Sequence, residues 1–345
     1  MGDSGSDDDA PPATSATTGD ASVWRYCLHI AYFGTGFVGW QRQNDKSSAG
    51  LGSVQELLEE AVTEELRAEK RINVTSVSRT DAGTHALYQY GSIRLPEELQ
   101  IPLDEFAAAL NARLPDGVVV HGVTRLEGPI ARTRIRSRYK KYIYYIQQGR
   151  RPDLQLGKFS WFIGKKVDPW RLQEALNFLV GSHDFRPFSQ GLQKAEHAGK
   201  STVRTILSVQ VVVRKNVVFS LDPQECGSGE IVNPVDVDER YRDATADAVP
   251  SADHKKRKVE RAAEQPTYPI YFICVELVAN GFLRHMVRRI IGTLRPIGEG
   301  THPVNRVQDV LNGTVEPGPS APTKGLWLHR TWLTEEDWVA DHPST

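Results

Sequence analysis

The order of hydrophobic periodicities between residues 24 and 123 restricts the possible folds more than any other feature of the sequence. Alternating apolar residues predict strands, and apolar residues three or four positions apart predict helices. The order is a strand at 24–32, a helix from Ser53 onward, strands at 72–76 and 88–95, a helix at 103–114 and a strand at 118–123. This order predicts a split βαβ arrangement, in which an antiparallel sheet has its helices on one face.

The connection between the second and third strands carries the sequence Arg79-Thr80-Asp81-Ala82-Gly83. Gly83 allows the backbone to turn sharply, so the Asp81 side chain can be presented to solvent. Arg79, two residues away, can orient that carboxylate and keep it ionised. An Asp-Ala-Gly triplet alone is usually only a turn, so a catalytic role for Asp81 depends on the rest of the chain.

The second part of the chain repeats the strand–helix–strand–strand pattern without obvious sequence identity to the first. Its predicted elements are a helix from Asp168-Pro169 to Val180, a loop at 181–185, strands at 203–219 and 268–278, a helix from Leu283, a short helix at 305–311 and a strand at 325–332. The expected domains are a disordered acidic tail (1–22), an N-terminal α+β half (23–130), a C-terminal α+β half (131–335) with a disordered insertion (221–266), and a tail (336–345).

Composition excludes several classes of protein. No apolar run approaches the roughly 18 residues that span a bilayer, and the acidic N-terminus does not resemble a signal or transit peptide. Cys27, Cys226 and Cys274 have no metal-ligand spacing and are an odd number, so neither a disulfide framework nor a zinc site is expected. This cysteine pattern fits a protein of a reducing compartment, the nucleus or the cytoplasm or both. The basic run at 254–258 has three possible interpretations: a nuclear-localisation signal, an RNA contact or a solvated charge cluster.

The net charge of −1 hides a segregation of charge. Without the acidic segments 1–22 and 221–266, the chain retains 35 Lys and Arg against 27 Asp and Glu. Within this basic body, Arg132, Arg134, Arg136, Arg138 and Lys140 recur with a period of two, which places them on one face of a strand. Such a row suits phosphates, and the tyrosines that follow at 142 and 144 can stack on bases. The alternative is a solvated edge strand protected by its charge.

A second basic group lies on the helix predicted from Leu283. Arg284, Arg288 and Arg295 lie close together on one face, and no acidic residue separates them. Their expected target is a carboxylate, phosphates, or both.

Eight stretches, taken together and in order, resemble the TruA family of tRNA pseudouridine synthases over residues 24–335. They are Tyr32-Phe33-Gly34-Thr35 with Gly39-Trp40-Gln41-Arg42-Gln43, Ser53-Val54-Gln55, Arg79-Thr80-Asp81-Ala82-Gly83 with His85-Ala86, Arg134 with Tyr142-Ile143-Tyr144, Gly181-Ser182-His183-Asp184-Phe185, Val203-Arg204-Thr205-Ile206, Asn280-Gly281-Phe282 with His285-Met286-Val287-Arg288, and Gly325-Leu326-Trp327-Leu328. The chain departs from the family pattern at Ser78, Phe33 and 132–134, and each departure leaves the catalytic groups in place.

The resemblance implies two α+β halves related by a pseudo-twofold axis, one continuous, mostly antiparallel sheet, and a basic cleft between the halves. It implies conversion of uridine to pseudouridine in tRNA, at anticodon stem-loop positions, without metal or organic cofactor and often as a homodimer. Asp81 corresponds to the family's catalytic residue. The implied substrate-binding residues are Arg79, Arg134, Tyr142, Arg288 and Leu326.

The reaction breaks the C1′–N1 bond, rotates the base and joins C5 to C1′. Asp81 can act as a nucleophile at C1′ or assist elimination to a glycal, with Arg288 as its expected partner. Tyr142 and Leu326 can cover the extruded base, and either Asp81 or Tyr142 can remove the C5 proton. The competing functions are a non-catalytic RNA-binding or assembly factor of this family, and an unrelated small-molecule α+β enzyme.

Overall fold

The computed structural model describes residues 23–43, 51–191, 201–234 and 270–342, and the predicted tail at 1–22 lies outside these ranges. The strands are β1 (Trp24–Tyr32), β2 (Thr75–Ser76), β3 (His85–Leu95), β4 (Val118–Arg125), β5 (Tyr139–Gln148), β6 (Trp161–Phe162), β7 (Gly181–Asp184), β8 (Val203–Lys215), β9 (Glu230–Ile231), β10 (Tyr271–Ala279) and β11 (Leu326–Trp332). The helices are α1 (Val54–Glu65), α2 (Leu103–Asn111), α3 (Gly128–Arg132), α4 (Pro169–Asn177), α5 (Met286–Gly298), α6 (Arg306–Leu311) and α7 (Glu335–Asp341).

One sheet runs through both halves, in the strand order β4-β1-β3-β11-β5-β10-β8-β7. Neighbours along this path are antiparallel except β11 and β3, which pair in parallel through Trp327 opposite His85 and Leu328 opposite Ala86. The predicted α+β class with a continuous, mostly antiparallel sheet is confirmed. The parallel pair joins the two halves immediately after the Asp81 loop.

The helices of both halves pack on the same face of this sheet, as the periodicity predicts. Helix α1 begins after Ser53, whose Oγ accepts a hydrogen bond from the backbone N of Glu56 at 3.2 Å. Leu58 on α1 and Leu110 on α2 are completely buried against this face, and each stabilises the fold by about 2 kcal/mol. On the opposite face a smaller core forms around Tyr145 and Trp327.

Loops cover that smaller core, and they include the start of the expected insertion. Residues 221–234 form turns and the strand β9, which pairs with the end of β8, and Cys226 is buried beneath them. These residues therefore pack on the sheet, while 235–266 lie outside the described residues. Residues 336–341 of the expected C-terminal tail likewise belong to α7, where the Trp338 ring lies 4.8 Å from the Trp332 ring of β11.

Two local predictions are wrong. Residues 181–185 were expected to be a loop, yet Gly181–Asp184 is an edge strand paired with β8. The basic row was expected to line one strand face, yet β5 begins only at Tyr139 and the preceding residues 133–138 are irregular. Arg138 instead forms an ion pair with Glu335 at 2.7 Å, which directs its charge away from any common face. Among the described residues, no helix is long and apolar enough to cross a membrane.

Candidate active site

The Asp81 loop connects β2 to β3 at the centre of the sheet. The backbone N of Thr84 donates to the carbonyl of Asp81 at 3.0 Å, which closes a tight turn. Gly83 has a φ of +79°, and a Cβ at this position would lie only 2.6 Å from the Thr323 Oγ1. The turn thus needs glycine twice over, for its backbone conformation and for its close neighbour. It leaves the Asp81 side chain 29% exposed.

The glycine-rich stretch after β1 packs directly against this loop. A Cβ on Gly34 would lie 2.1 Å from the carbonyl oxygen of Thr84, and one on Gly39 would lie 2.8 Å from that of Thr80. The backbone N of Trp40 donates to the same Thr80 carbonyl at 3.2 Å. The glycines therefore allow the backbone after β1 to lie in direct contact with the backbone of the Asp81 loop.

Buried polar side chains fix both ends of the loop. At its start, the Tyr32 hydroxyl lies 2.7 Å from Thr80 Oγ1, and Gln89 Nε2 donates to the carbonyl of Ser78 at 2.6 Å. At its end, His85 Nδ1 accepts from the backbone N of Gly34 at 3.1 Å. The Gly34 donor leaves the ring proton on Nε2, which lies 3.2 Å from the Lys324 carbonyl. Burial lowers the pKa of His85 to about 4, so its neutral ring serves as a structural link.

Asp81 meets Arg288 of α5 across the junction between the halves. Arg288 Nη1 donates to Asp81 Oδ2 at 3.1 Å, and only 15% of the Arg288 side chain is exposed. Arg288 Nε donates to the carbonyl of Ala321 at 2.7 Å, and the Ala321 backbone N donates back to the Arg288 carbonyl at 3.0 Å. The guanidinium is therefore fixed before any substrate arrives.

His285 is a third member of this cluster that the sequence analysis did not single out. Its Nε2 lies 3.4 Å from Asp81 Oδ2 and 3.5 Å from Arg288 Nη1, and its Nδ1 lies 3.2 Å from Ser320 Oγ. Burial is the main cause that lowers the pKa of His285, Asp81 opposes the shift, and the neighbouring arginines reinforce it. The ring is therefore neutral at neutral pH.

The segment 320–325 contacts every part of this site, and sequence reasoning also missed it. Ser320 faces His285, Ala321 binds Arg288, and Thr323 abuts Gly83. The segment leads directly into the recognisable Gly325-Leu326-Trp327-Leu328 motif, which was the one available signal. Small residues with backbone roles leave no other trace in a single sequence.

Tyr142 lies close to the Asp81 loop, and Leu326 is two residue pairs further along β5 and β11. Tyr142 pairs with Leu328 and Leu326 with Tyr144, and both predicted residues are more than nine-tenths buried. Burial is the main cause that raises the pKa of Tyr142 to about 12; Asp81 adds to the rise, while a hydrogen bond with Ser78 opposes it. The ring of Phe282 packs edge-on against Tyr142 at 5.1 Å.

Arg79 is exposed on the Asp81 loop, whereas Arg134 lies elsewhere. The carbonyl of the adjacent Thr133 accepts a hydrogen bond from Arg25 near the start of β1. Tyr32, which touches the Asp81 loop, lies at the other end of β1, roughly 23 Å away along an extended strand. The structure therefore brings Asp81, Arg288, Tyr142 and Arg79 to one place but does not bring Arg134 there.

One other member of the predicted arginine group, Arg295, has partners of its own. Arg295 forms an ion pair with Glu299 at 2.7 Å and lies over the Trp161 ring, so it does not face Asp81. Among the described residues, no cluster of three His, Cys, Asp or Glu side chains could hold a metal ion.

The comparisons with known proteins agree with this arrangement. Residues 175–331 match the family model described as tRNA pseudouridine synthase. A protein named tRNA pseudouridine synthase A from Thermoanaerobacter sp. (strain X514) is 28% identical over 302 residues, which cover 87% of this chain and 95% of that protein. One of the same name from Moorella thermoacetica is 27% identical over 309 residues, 88% of this chain and 98% of that protein. A third, from Synechococcus sp. (strain CC9605), is 34% identical over 200 residues, 56% of this chain and 63% of that protein.

These relatives extend over both halves of the sheet. The family model covers the part that supplies Arg288, and the longer matches reach 95% or more of their own proteins. The fold, the Asp81–Arg288 pair and these similarities confirm the resemblance of the chain to the TruA family of tRNA pseudouridine synthases.

Proposed function

We propose that this protein is a tRNA pseudouridine synthase that isomerises uridine with Asp81 as its catalytic residue. The observation that carries the proposal is a partly exposed carboxylate, ion-paired with a fixed arginine at 3.1 Å, in a chain whose relatives carry this activity in their names. A binding or assembly factor would need no such pair, so nothing favours the non-catalytic alternative.

Arg288 orients the Asp81 carboxylate through their 3.1 Å ion pair, which both possible routes require. A lone pair of the carboxylate can form a bond to C1′ while the C1′–N1 electrons remain on the uracil. Alternatively, the carboxylate can take the proton at C2′ as the same bond breaks. In either case the charge on Asp81 is balanced by Arg288, which is already in place.

Tyr142 covers the base as a neutral ring under this proposal. Because burial raises the pKa of Tyr142 to about 12, its phenolate is scarce at neutral pH, which disfavours it as the base that removes the C5 proton. Asp81 is then the better of the two candidates for that step. Leu326 and Tyr142 offer the apolar surface that an extruded base needs.

The remaining contacts concern the RNA strand and the assembly. Arg79, exposed beside Asp81, contacts the backbone of the extruded nucleotide, and Arg134 contacts phosphates further along the RNA. The partner is tRNA, at an anticodon stem-loop uridine, and the active form is a homodimer in the cytoplasm. The family resemblance supports these points; the bacterial relatives named above have no nucleus and so do not support the nuclear alternative.

Tritium release from C5-tritiated uridine in bulk tRNA tests the proposal, with wild type compared to Asp81→Asn. Release by wild type alone supports both the isomerase activity and its carboxylate. If both proteins bind tRNA and neither releases tritium, the proposal is wrong and the binding-factor function replaces it.

A further inference from the structure

The cluster around Asp81 contains one side chain, His285, whose contacts the reaction as described does not use. Its backbone is left-handed, with φ 61° and ψ 1°, at the residue that precedes α5. This conformation costs most non-glycine residues about 1 kcal/mol, and residues that adopt it cluster at functional sites. The carbonyl of His285 accepts the first hydrogen bond of α5, from the backbone N of Arg289 at 2.9 Å. The side chain is thereby turned back toward Asp81.

The imidazole lies against both members of the Asp81–Arg288 pair. Its Nε2 lies 3.5 Å from Arg288 Nη1, which can only donate, and 3.4 Å from Asp81 Oδ2, which can only accept. The neutral ring therefore holds the pair in either tautomer: a lone pair on Nε2 accepts from Arg288, and an N–H there donates to Asp81. Nδ1 lies 3.2 Å from the Ser320 hydroxyl, which can donate or accept, so Ser320 holds the ring in both cases.

Three contacts then fix the guanidinium of Arg288. Nε donates to the Ala321 carbonyl at 2.7 Å, Nη1 donates to Asp81 Oδ2 at 3.1 Å, and Nη1 lies 3.5 Å from His285 Nε2. On Asp81, both neighbours converge on the same oxygen, Oδ2, and among the described residues no hydrogen bond reaches Oδ1. The cluster therefore distinguishes two chemically equivalent carboxylate oxygens.

We propose that His285, held by Ser320, is a positioning residue that locks the Asp81–Arg288 pair so that Oδ1 is the oxygen that acts on the ribose. This inference rests on the proposed function and deepens it. Oδ1 is the reacting atom in either route, as the nucleophile at C1′ or as the acceptor of the C2′ proton, while Oδ2 stays bound to Arg288. Without His285 the guanidinium can rotate about its contact with Ala321, and the carboxylate rotates with it.

Two substitutions separate this role from a purely structural one. His285→Asn suits the left-handed backbone and places its amide near the former Nδ1, so Ser320 keeps a partner while Arg288 loses one. His285→Gln suits that backbone less well but places an amide near the former Nε2, where its oxygen can accept from Arg288. We therefore expect His285→Asn to be the more stable but less active variant, and His285→Gln to be the less stable but more active one.

The experiment measures thermal unfolding, tRNA Kd and single-turnover tritium release for wild type and both variants. We expect His285→Asn to unfold at or above the temperature of His285→Gln, and Kd to stay within about threefold for both. We expect the single-turnover rate to fall roughly 10- to 100-fold in His285→Asn and less than about fivefold in His285→Gln, because a small misplacement of a reacting group has effects of this size.

A rate for His285→Asn equal to that of His285→Gln or higher overturns the inference, because the ring then acts only through the backbone. A loss of rate explained by a matching rise in Kd also overturns it. If wild type itself releases no tritium, the proposed function is wrong and the inference fails with it, which is a different outcome from an active wild type with insensitive variants.

Discussion

The two regions that meet at Asp81 are built on different physical principles. The loop that carries Asp81 is positioned mainly through backbone contacts, against Gly34, Gly39 and the polar groups at its ends. The start of α5 instead supplies side chains, Arg288 and His285, whose charges and hydrogen bonds act directly on the carboxylate. Damage to the first region should therefore lower stability, and damage to the second should lower the rate of reaction. The predictions below test this division.

The largest effect is expected from Asp81→Asn, which removes the charge at the meeting point but keeps the size of the side chain. Turnover should be undetectable, because an amide is neither a nucleophile nor a base of useful strength. The tRNA Kd should stay within several-fold of wild type, as the proposed RNA contacts lie on other residues. Retained turnover would move the catalytic role to another residue.

Arg288→Ala tests the second region and should lower the single-turnover rate by roughly 100-fold or more, the usual cost of one preorganised donor. The variant loses the 3.1 Å contact with Asp81 and the 2.7 Å contact with Ala321. Arg306→Ala is the matched control, since Arg306 is half-buried and its Nη2 donates to the Glu316 carbonyl at 3.2 Å rather than to Asp81. A wild-type rate in Arg288→Ala would exclude the pairing as a catalytic requirement.

Gly34→Ala tests the first region and should destabilise the protein by about 3 kcal/mol or more, because backbone must move to accept the methyl group. The new Cβ would lie 2.1 Å from the Thr84 carbonyl oxygen. Gly122→Ala on β4 is the control, because no atom lies within 4 Å of its Cβ position. Urea unfolding measures both; equal stability of the two variants would show that the close approach of Gly34 has no energetic consequence.

Acid should weaken the first region through His85. Because burial lowers the pKa of His85 from 6.5 to about 4, the unfolded chain binds more protons between these values. The contribution of neutral His85 to the free energy of unfolding is therefore complete above about pH 6.5 and is lost as the pH falls toward 4. In His85→Gln the slope of unfolding free energy against pH in this window should be smaller by up to about 1.4 kcal/mol per pH unit. An unchanged slope would mean that His85 titrates alike in both states.

The smallest effect is expected from Tyr142→Phe, which keeps the ring that we propose to cover the base and removes the hydroxyl. The single-turnover rate should fall less than about tenfold, since a buried phenol with a pKa of about 12 contributes little as a base. A loss as complete as that of Asp81→Asn would reverse this assignment and make Tyr142 the group that removes the C5 proton.

The N-terminal half shows how much local pattern alone can determine. Strand β1 matches the predicted bounds, and α1 starts at the predicted cap, Ser53. Both depend on neighbours close in sequence, so periodicity and capping chemistry suffice to predict them. The predicted row from Arg132 to Lys140 failed because its strand assignment depended on pairing: β5 begins at Tyr139, the residue opposite Trp332 of β11.

The sequence by itself determined the order of elements, the α+β class, and the residues that carry charge and catalytic potential, because these follow from residue type and spacing. Only the tertiary structure decided that Arg288 lies 3.1 Å from Asp81, from which it is separated by 207 positions in the sequence. Arg295 was predicted to share a helix face with Arg288, yet it forms an ion pair with Glu299 instead. The parallel pairing of β11 with β3 brings the segment 320–325 beside the Asp81 loop. Such a contact depends on the packing of distant strands, and no local pattern encodes it.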